Sequence, residues 1–328
     1  MNISGGAERE LQQVNLVGKS ELKRKVDRQR SLGTRLLEQK WLVLMALPGI
    51  LFVLVFSYLP MFGVLISFQD FNVFQGVFGS PWVGLQNFQN FFGDPMGMQI
   101  FTNTLILGLL SLLFGFPAPI IFALLLNEIT SSKFRKVVQS ISYLPYFIST
   151  VIIVGMLRAL SEQNGLFNDI AHFFGQPSIQ FFADPAWFRP LFVGSGIWQG
   201  LGWSAILYLA ALSGIDPEQY AAAEIDGANR WKKAIHITLP GIAPTIMILL
   251  ILSVGGILGT DYQKVLLMQS PTNMGTSNVV GTYVYQTGIL NANFGEAAAI
   301  GLLLSVISFI FLIATNWLSR KLTDHSLW

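Results

Sequence analysis

The 328-residue chain contains no cysteine, which removes disulfides and thiolate metal sites together. It has three histidines, His172, His236 and His325, each in a different segment. No HExxH and no GxxxxGK[ST] occurs, so the common zinc-protease and phosphate-loop chemistries are absent. Charge is scarce too: Asp, Glu, Lys and Arg make up 12% of the chain, against about 25% in an ordinary soluble domain. What replaces charge is apolar surface, 52% of all residues, with a mean hydropathy of +0.54. This is the balance of a polytopic membrane protein.

Six stretches are long enough to cross a bilayer as helices, which takes about 20 apolar residues each. They fall near 41–68, 100–126, 137–157, 190–212, 240–259 and 297–318, and none holds an Asp, Glu, Lys or Arg. Lipid satisfies no peptide group, so each is expected to be helical through the core. Pro48, Pro60, Pro117, Pro119 and Pro145 lie inside them and predict kinks, the strongest at Pro117 and Pro119. Charge-free spans offer no acid and base at fixed spacing, which argues against an intramembrane enzyme. Proton pumps and secondary carriers usually place ionisable groups within their helices. If this chain moves a solute uphill, the energy comes from elsewhere.

The few basic residues are unevenly placed. Nine of the twenty lie in the tail ending at Lys40. Lys133, Arg135 and Lys136 follow the second span; Arg230, Lys232 and Lys233 follow the fourth; Arg320 and Lys321 follow the sixth. Only Arg158, Arg189 and Lys264 fall on the opposite side. The positive-inside rule puts both termini, and the polar insert between the fourth and fifth spans, in the cytoplasm. Apolar sequence starts only at Trp41 and runs too long for a cleaved signal peptide. The tail 1–40 reads either as solvated chain or as a basic helix on anionic lipid. The external loops are rich in aromatics, Gly, Asn and Gln, which suits interfacial anchoring, a docking rim for an external partner, or both. The three external basic residues read either as long side chains snorkelling at helix ends or as attractors for an acidic solute.

The insert, EQYAAAEIDGANRWKKAIHITLP from 218 to 240, stands out as polar and Ala-rich. Asp216 is placed to cap a helix with Pro217 at its first position, and Gln219 completes a capping-box pattern. Ile215 and Tyr220 have the spacing of a hydrophobic staple. Ala221, Ala222 and Ala223 are helix-forming and without bulk, so another surface can approach closely. Gly227 permits a sharp bend, and a second short helix carrying Trp231 is expected before Leu239 and Pro240 open the fifth span. Two short helices about a glycine bend make a knob for a socket; an ordinary loop with incidental helicity is the plainer reading.

The spacing of Ala222, Ala223, Gly227, Ile237, Leu239 and Pro240 resembles the Glu-Ala-Ala…Gly…Ile-x-Leu-Pro loop of permease subunits of bacterial ABC importers. YAAAEIDGANRW…ITLP resembles the carbohydrate-uptake branch, and WVGLQNF, YLPYFIS, NGLFN, TYVYQTGI and NWLSRKL…SLW extend the likeness over nearly the whole chain after Trp41, towards importers of oligosaccharides cut from polysaccharides. The family's leading Glu aligns with Ala221, flanked here by Glu218 and Glu224.

The resemblance implies an all-α, six-span, type I ABC importer permease in the bacterial inner membrane. It implies a basic tail at 1–40, a transmembrane domain at 41–318 with a cytoplasmic coupling loop at 214–239, and a tail at 319–328. The loop would seat in an ATPase through Tyr220, Ala222, Ala223, Glu224, Asp226, Gly227, Ala228, Trp231, Ile237, Leu239 and Pro240. Expected partners are a second permease subunit, two ATPase subunits, an external solute-binding protein, an oligosaccharide and membrane lipid, with no nucleic acid. ATP and Mg are expected on the ATPase, with no cofactor or metal on this chain and no catalytic residue. A non-sugar importer and a secondary carrier are the alternatives.

Within the fourth span, Trp198, Gln199 and Trp203 sit near the midpoint, where tryptophan is out of its usual interfacial place. An indole covers the flat face of a sugar and an amide bonds its hydroxyls, so these three are candidates for the solute route. Packing against the partner permease is the alternative. Close helix contacts are expected at Gly194, Gly196, Gly200 and Gly202, with Gly196 and Gly200 spaced as GxxxG.

The charge pattern sets a direct test of orientation. In this cysteine-free chain, Ser178→Cys and Asn273→Cys are expected to react with an impermeant thiol reagent on intact cells, and Ser20→Cys to stay unreacted. Labelling at position 20 alone reverses the orientation.

Overall fold

A backbone amide left bare in hydrocarbon costs several kcal/mol, about the worth of several net hydrogen bonds, so apolar sequence of this length must close its bonds locally. A computed structural model describes residues 39–323 and answers that demand with helices. Among the described residues the only β feature is the isolated antiparallel bridge Gln69–Trp82. The main helices are α1 (Lys40–Phe68), α2 (Pro95–Asn127), α3 (Ser132–Phe147), α4 (Thr150–Leu160), α5 (Pro185–Leu212), α6 (Pro217–Ile225), α7 (Arg230–Gly255), α8 (Tyr262–Met268) and α9 (Phe294–Thr323). The chain divides into two units, Met1–Phe62 and Gly63–Trp328. In the first unit the described part is the body of α1, apolar around its circumference, which is the surface that lipid solvates. The tail reading at 1–38, and that at 324–328, lie outside the described residues.

The all-helical class read from the sequence holds. By length and composition α1, α2, α7 and α9 can each cross a membrane, and the bent pair α3–α4 makes a fifth span if taken as one. The fourth stretch of the sequence reading is α5, 28 residues and so about 42 Å long. Its Gly, Trp and Gln residues lower its hydropathy below that of the other five.

The recurring start signal is Asp-Pro. Asp94, Asp184 and Asp216 each accept a bond from the N–H two residues on, at 2.9 Å, with Pro95, Pro185 and Pro217 at the first helical position. The carboxylate satisfies an orphan donor and the proline lacks the N–H that would otherwise be bare.

The prolines behave differently from the sequence expectation. Pro117 and Pro119 do not make the strongest bend, because α2 runs on as one helix through them. The π-helical turn Ser111–Gly115 holds the residues four before each, where the ring would clash with a carbonyl. Similar π turns, Leu54–Tyr58 and Ala234–Thr238, precede Pro60 and Pro240. Pro145 has no such turn. There α3 ends in the 3-10 stretch Leu144–Phe147, and α4 leaves at 102°. A second correction concerns the fifth span: Trp231 and the basic pair are not on a separate short helix. They begin α7, which continues to Gly255.

In the second unit α5 is the axis. Its N-terminal half brings Phe188 and Phe192 against Leu107 of α2, Val154 of α4, and Val265 and Met268 of α8. Its C-terminal half brings Ala205, Tyr208 and Leu212 against Ile120 and Ala123 of α2 and Ile242 of α7. A third cluster, Phe91, Ile100, Val280 and Ile300, ties α2 to α9. Of the glycines expected to allow close approach, only Gly202 meets backbone: a Cβ there would stand 2.2 Å from the Ser142 carbonyl oxygen of α3. Gly194 and Gly200 face nothing within 4 Å, and Gly196 faces the Lys264 amine. The GxxxG spacing is therefore not a helix contact within this chain. Asn273 is 1% exposed, so exposed Met274 is the better labelling site in that segment.

Gly202→Ala is expected to wedge α5 from α3 and destabilise the protein by about 1–3 kcal/mol, the range of overpacked cores. Gly200→Ala is expected to be neutral. Thermal unfolding of the two variants in detergent, side by side, checks the pair.

Candidate functional site

Two features stand apart from ordinary packing: the hairpin that contains α6, and a cavity along α5. The hairpin leaves α5 at Leu212 and returns as α7. Asp216 caps the Glu218 N–H, and the cap works without the reciprocal Gln219 bond of a full box. At the far end of α6 the Gly227 N–H donates to Glu224 O at 3.1 Å and the Ala228 N–H to Ala223 O at 2.8 Å. That pair of hydrogen bonds is a Schellman stop, and Gly227 sits at φ +71°, the left-handed region the motif requires. A Cβ at Gly227 would touch nothing within 4 Å, so the constraint is backbone conformation and not space.

Three ties hold the hairpin to the start of α7. The Tyr220 hydroxyl bonds Thr238 Oγ1 at 3.0 Å. Ile215 lies over Gly241, its Cδ1 2.7 Å from where a Cβ would stand; its side chain thus secures the base of the hairpin. Lys233 Nζ and Glu224 Oε2 are 3.6 Å apart, and at 77% exposure for Glu224 that pair adds little stability. Arg230 reaches Glu128, just past α2, at 3.9 Å. Outward the hairpin shows Ala221, Ala222, Asp226 and Gly227, with Ile225 89% and Trp231 77% exposed. Ala223, Ala228 and Ile237 are half-buried; Leu239 and Pro240 are exposed on α7. An exposed isoleucine and tryptophan and bare alanines, set among the exposed charges of Glu224, Asp226, Arg230 and Lys232, form the outer surface of a well-anchored hairpin.

The cavity has a volume of about 690 Å³ and lies between α2, α5, α7 and the turn leading into α8. Serine and threonine from each wall, among them Ser111, Ser204, Ser253 and Thr260, alternate with apolar side chains. Gln199 and Trp203, four residues apart and so on one helix face, both line it. Trp198 does not: it projects from another face of α5 and is half-exposed. Gln199 Nε2 donates to the Ile148 carbonyl at 3.1 Å, at the break between α3 and α4. Trp203 stacks on Tyr146 at 4.6 Å and 5°, with Phe147 edge-on at 5.7 Å. The aromatic pair beside Pro145 was missed from the sequence, although YLPYFIS carried the signal: a proline beside exposed aromatics within a span.

Arg158, Arg189 and Lys264 are not three equal snorkelling charges. Arg158 Nη2 donates to Leu267 O at 2.6 Å and Arg189 Nη2 to Asn103 Oδ1 at 3.0 Å, both binding one segment to another. Lys264 is 3% exposed and lines the cavity. Desolvation pushes its amine down to about 8, opposed by the nearby Asp261 carboxylate, so it stays largely protonated at pH 7.

Residues 115–324, more than half of the chain, match the model of the binding-protein-dependent transport system inner membrane component. The chain is 40% identical over 305 residues to the polygalacturonan/rhamnogalacturonan transport system permease protein YteP of Bacillus subtilis (strain 168), covering 93% of this chain and 95% of that one. It is 31% identical to the arabinooligosaccharides transport system permease protein AraP of the same organism, covering 84% and 86%. Among solved structures it superposes on a chain of a bacterial alginate ABC transporter in complex with an alginate pentasaccharide-bound periplasmic protein, with a TM-score of 0.84 at 36% identity, covering 91% of this chain and all of that one. The fold is that of an ABC importer permease. The chain belongs to the binding-protein-dependent transport-system inner membrane components, a family of multi-pass transporter subunits, as the loop motif implied.

The two tryptophans give a paired test. Trp203→Ala is expected to lower the unfolding temperature and slow solute uptake, because each aromatic pair it removes is worth about 0.5–1.5 kcal/mol beyond the buried area. Trp203→Phe is expected to keep most of both. Trp198→Ala is expected to leave uptake unchanged, and a larger uptake defect there than at Trp203 would reverse the assignment.

Proposed function

We propose that this chain is one of two different permease halves of an ATP-driven importer that carries an oligosaccharide across the bacterial cytoplasmic membrane. The solute is delivered by an external binding protein. The hairpin 214–239 is the coupling element and seats in a cytoplasmic ATPase, two copies of which bind ATP and Mg²⁺ and drive the cycle. Both termini are cytoplasmic, six spans run between them, and the tails 1–40 and 319–328 flank the transmembrane domain.

The observation that carries this reading is the hairpin. Its rigid cap, Schellman stop and ties to α7 make a firm body, and its outer face leaves Ile225 and Trp231 uncovered. Isoleucine and tryptophan at 89% and 77% exposure suit a surface buried by a partner. In this arrangement Tyr220 and Thr238 pass displacement of the knob to α7. Ala222, Ala223 and Gly227 let the partner's backbone come close. Ala221 stands where a glutamate is usual, so exposed Glu218 is the carboxylate available at the leading end of α6. The cavity supports a sugar: hydroxyls on several walls, the Gln199 amide and the Trp203 ring offer both bonding edges and a flat apolar face. The relatives named for polygalacturonan, arabinooligosaccharide and alginate support the same solute class.

The test is co-isolation and coupling. The tagged chain, purified from its own cells in mild detergent, is expected to bring down a second six-span subunit and an ATPase. Gly227→Val, a β-branched residue at positive φ, is expected to abolish transport per assembled complex or prevent assembly, whereas Gly227→Asn keeps most transport because Asn tolerates the left-handed region. Full transport by an assembled Gly227→Val complex would mean that another element does the coupling.

A further inference from the structure

Lys264 is the one Asp, Glu, Lys or Arg side chain that is buried among the described residues. Its Nζ donates to the Phe192 carbonyl at 3.1 Å and lies 4.8 Å from the Phe192 ring centroid. An ammonium has three donors, so this leaves donors to spare. Asp261 directs Oδ1 to the Lys264 backbone N–H as a helix cap, and among the described residues no carboxylate is within ion-pairing distance of the amine. The Thr260 hydroxyl, on the same wall, is buried and without a hydrogen-bond partner. Gly196 faces the amine across the cavity: a Cβ there would stand in ordinary contact, 3.6 Å from Nζ. A buried cation whose nearby carboxylate, Asp261, caps the helix and stands beyond ion-pair distance is costly, and a structure that keeps one facing a cavity leaves room for an anion to complete it.

We infer that Lys264 is an anion-reading residue of the translocation cavity, pairing with a carboxylate of an acidic, uronate-type oligosaccharide while the Thr260 hydroxyl bonds the same sugar. The inference rests on the proposed import of an oligosaccharide and narrows its class. One ammonium beside one carboxylate, Asp261, suits single negative charges spaced along a chain and disfavours dense polyanions such as phosphates. Asp261 also limits how tightly the anion is held, which a pathway needs if the solute is to leave. The contact is charge-assisted, and its loss is expected to lower uptake of the acid about tenfold or more.

The experiment uses the importer assembled from its own cells, in proteoliposomes, with trigalacturonate and its fully methyl-esterified form as paired probes. Uptake is measured per assembled complex. The wild type is expected to import the acid well and the ester poorly. Lys264→Met, which keeps length and removes charge, is expected to lose about tenfold or more of acid uptake while ester uptake moves little. Lys264→Arg is expected to recover a substantial part of it. If the ester is not imported by any variant, the recovery by Lys264→Arg decides. Equal uptake of acid and ester, unaffected by Lys264→Met, overturns this inference and leaves oligosaccharide import standing. Equal proportional loss of both probes in Lys264→Met also overturns it, since that is a packing role. A wild-type complex that assembles, imports neither probe and shows no sugar-stimulated hydrolysis overturns the oligosaccharide reading and this inference with it.

Discussion

The structure of the larger unit depends on α5 being at once long, without charge beyond Arg189 near its start, and locally small. At Gly202 the backbone of α5 comes against the Ser142 carbonyl, a distance no side chain larger than hydrogen permits. That approach sets α3 against α5 and lets Gln199 reach the Ile148 carbonyl exposed by the 102° break. The break itself frees backbone groups that lipid would not satisfy, and α5 supplies one of their partners from a side chain. Further up the same helix the Phe192 carbonyl accepts from Lys264, so the amine has a foothold. Packing, the broken span and the polar lining of the cavity are therefore consequences of one helix face.

Much of the hairpin was legible because its signals are local. The Asp216–Pro217 start and the Gly227 bend follow from capping and from the φ > 0 that a Schellman stop demands, and both are found. The helical class was equally legible, since long apolar runs leave the backbone one option. The span count was less so: α5 gives up hydropathy to the same Gly, Trp and Gln residues that shape the cavity.

What could not be read depends on helix phase and on neighbours. Trp198 and Trp203 look alike in sequence, and only the rotation of α5 against α3 sends Trp203 to Tyr146 and into the cavity. Pro117 and Pro119 looked like the stronger breaker, but a π turn upstream absorbs them, while lone Pro145 ends its helix. Lys264 looked like an interfacial charge because its burial is made by Phe192, seventy-two residues earlier in the chain. Its place beside Asp261 gave only a helix cap.

The continuity of α7 has a mechanical consequence. One helix carries Trp231 at the hairpin and Ser253 at the cavity wall, with no loop between them. Its 26 residues make a rod of about 39 Å. Pivoted near its middle by about 10°, such a rod carries each end roughly 3 Å in opposite directions, by its 1.5 Å rise per residue. The hairpin and the cavity wall are thus carried by the two ends of one continuous helix. The π turn at Ala234–Thr238 lies near the hairpin end, and Pro244 sits within the longer part of the rod.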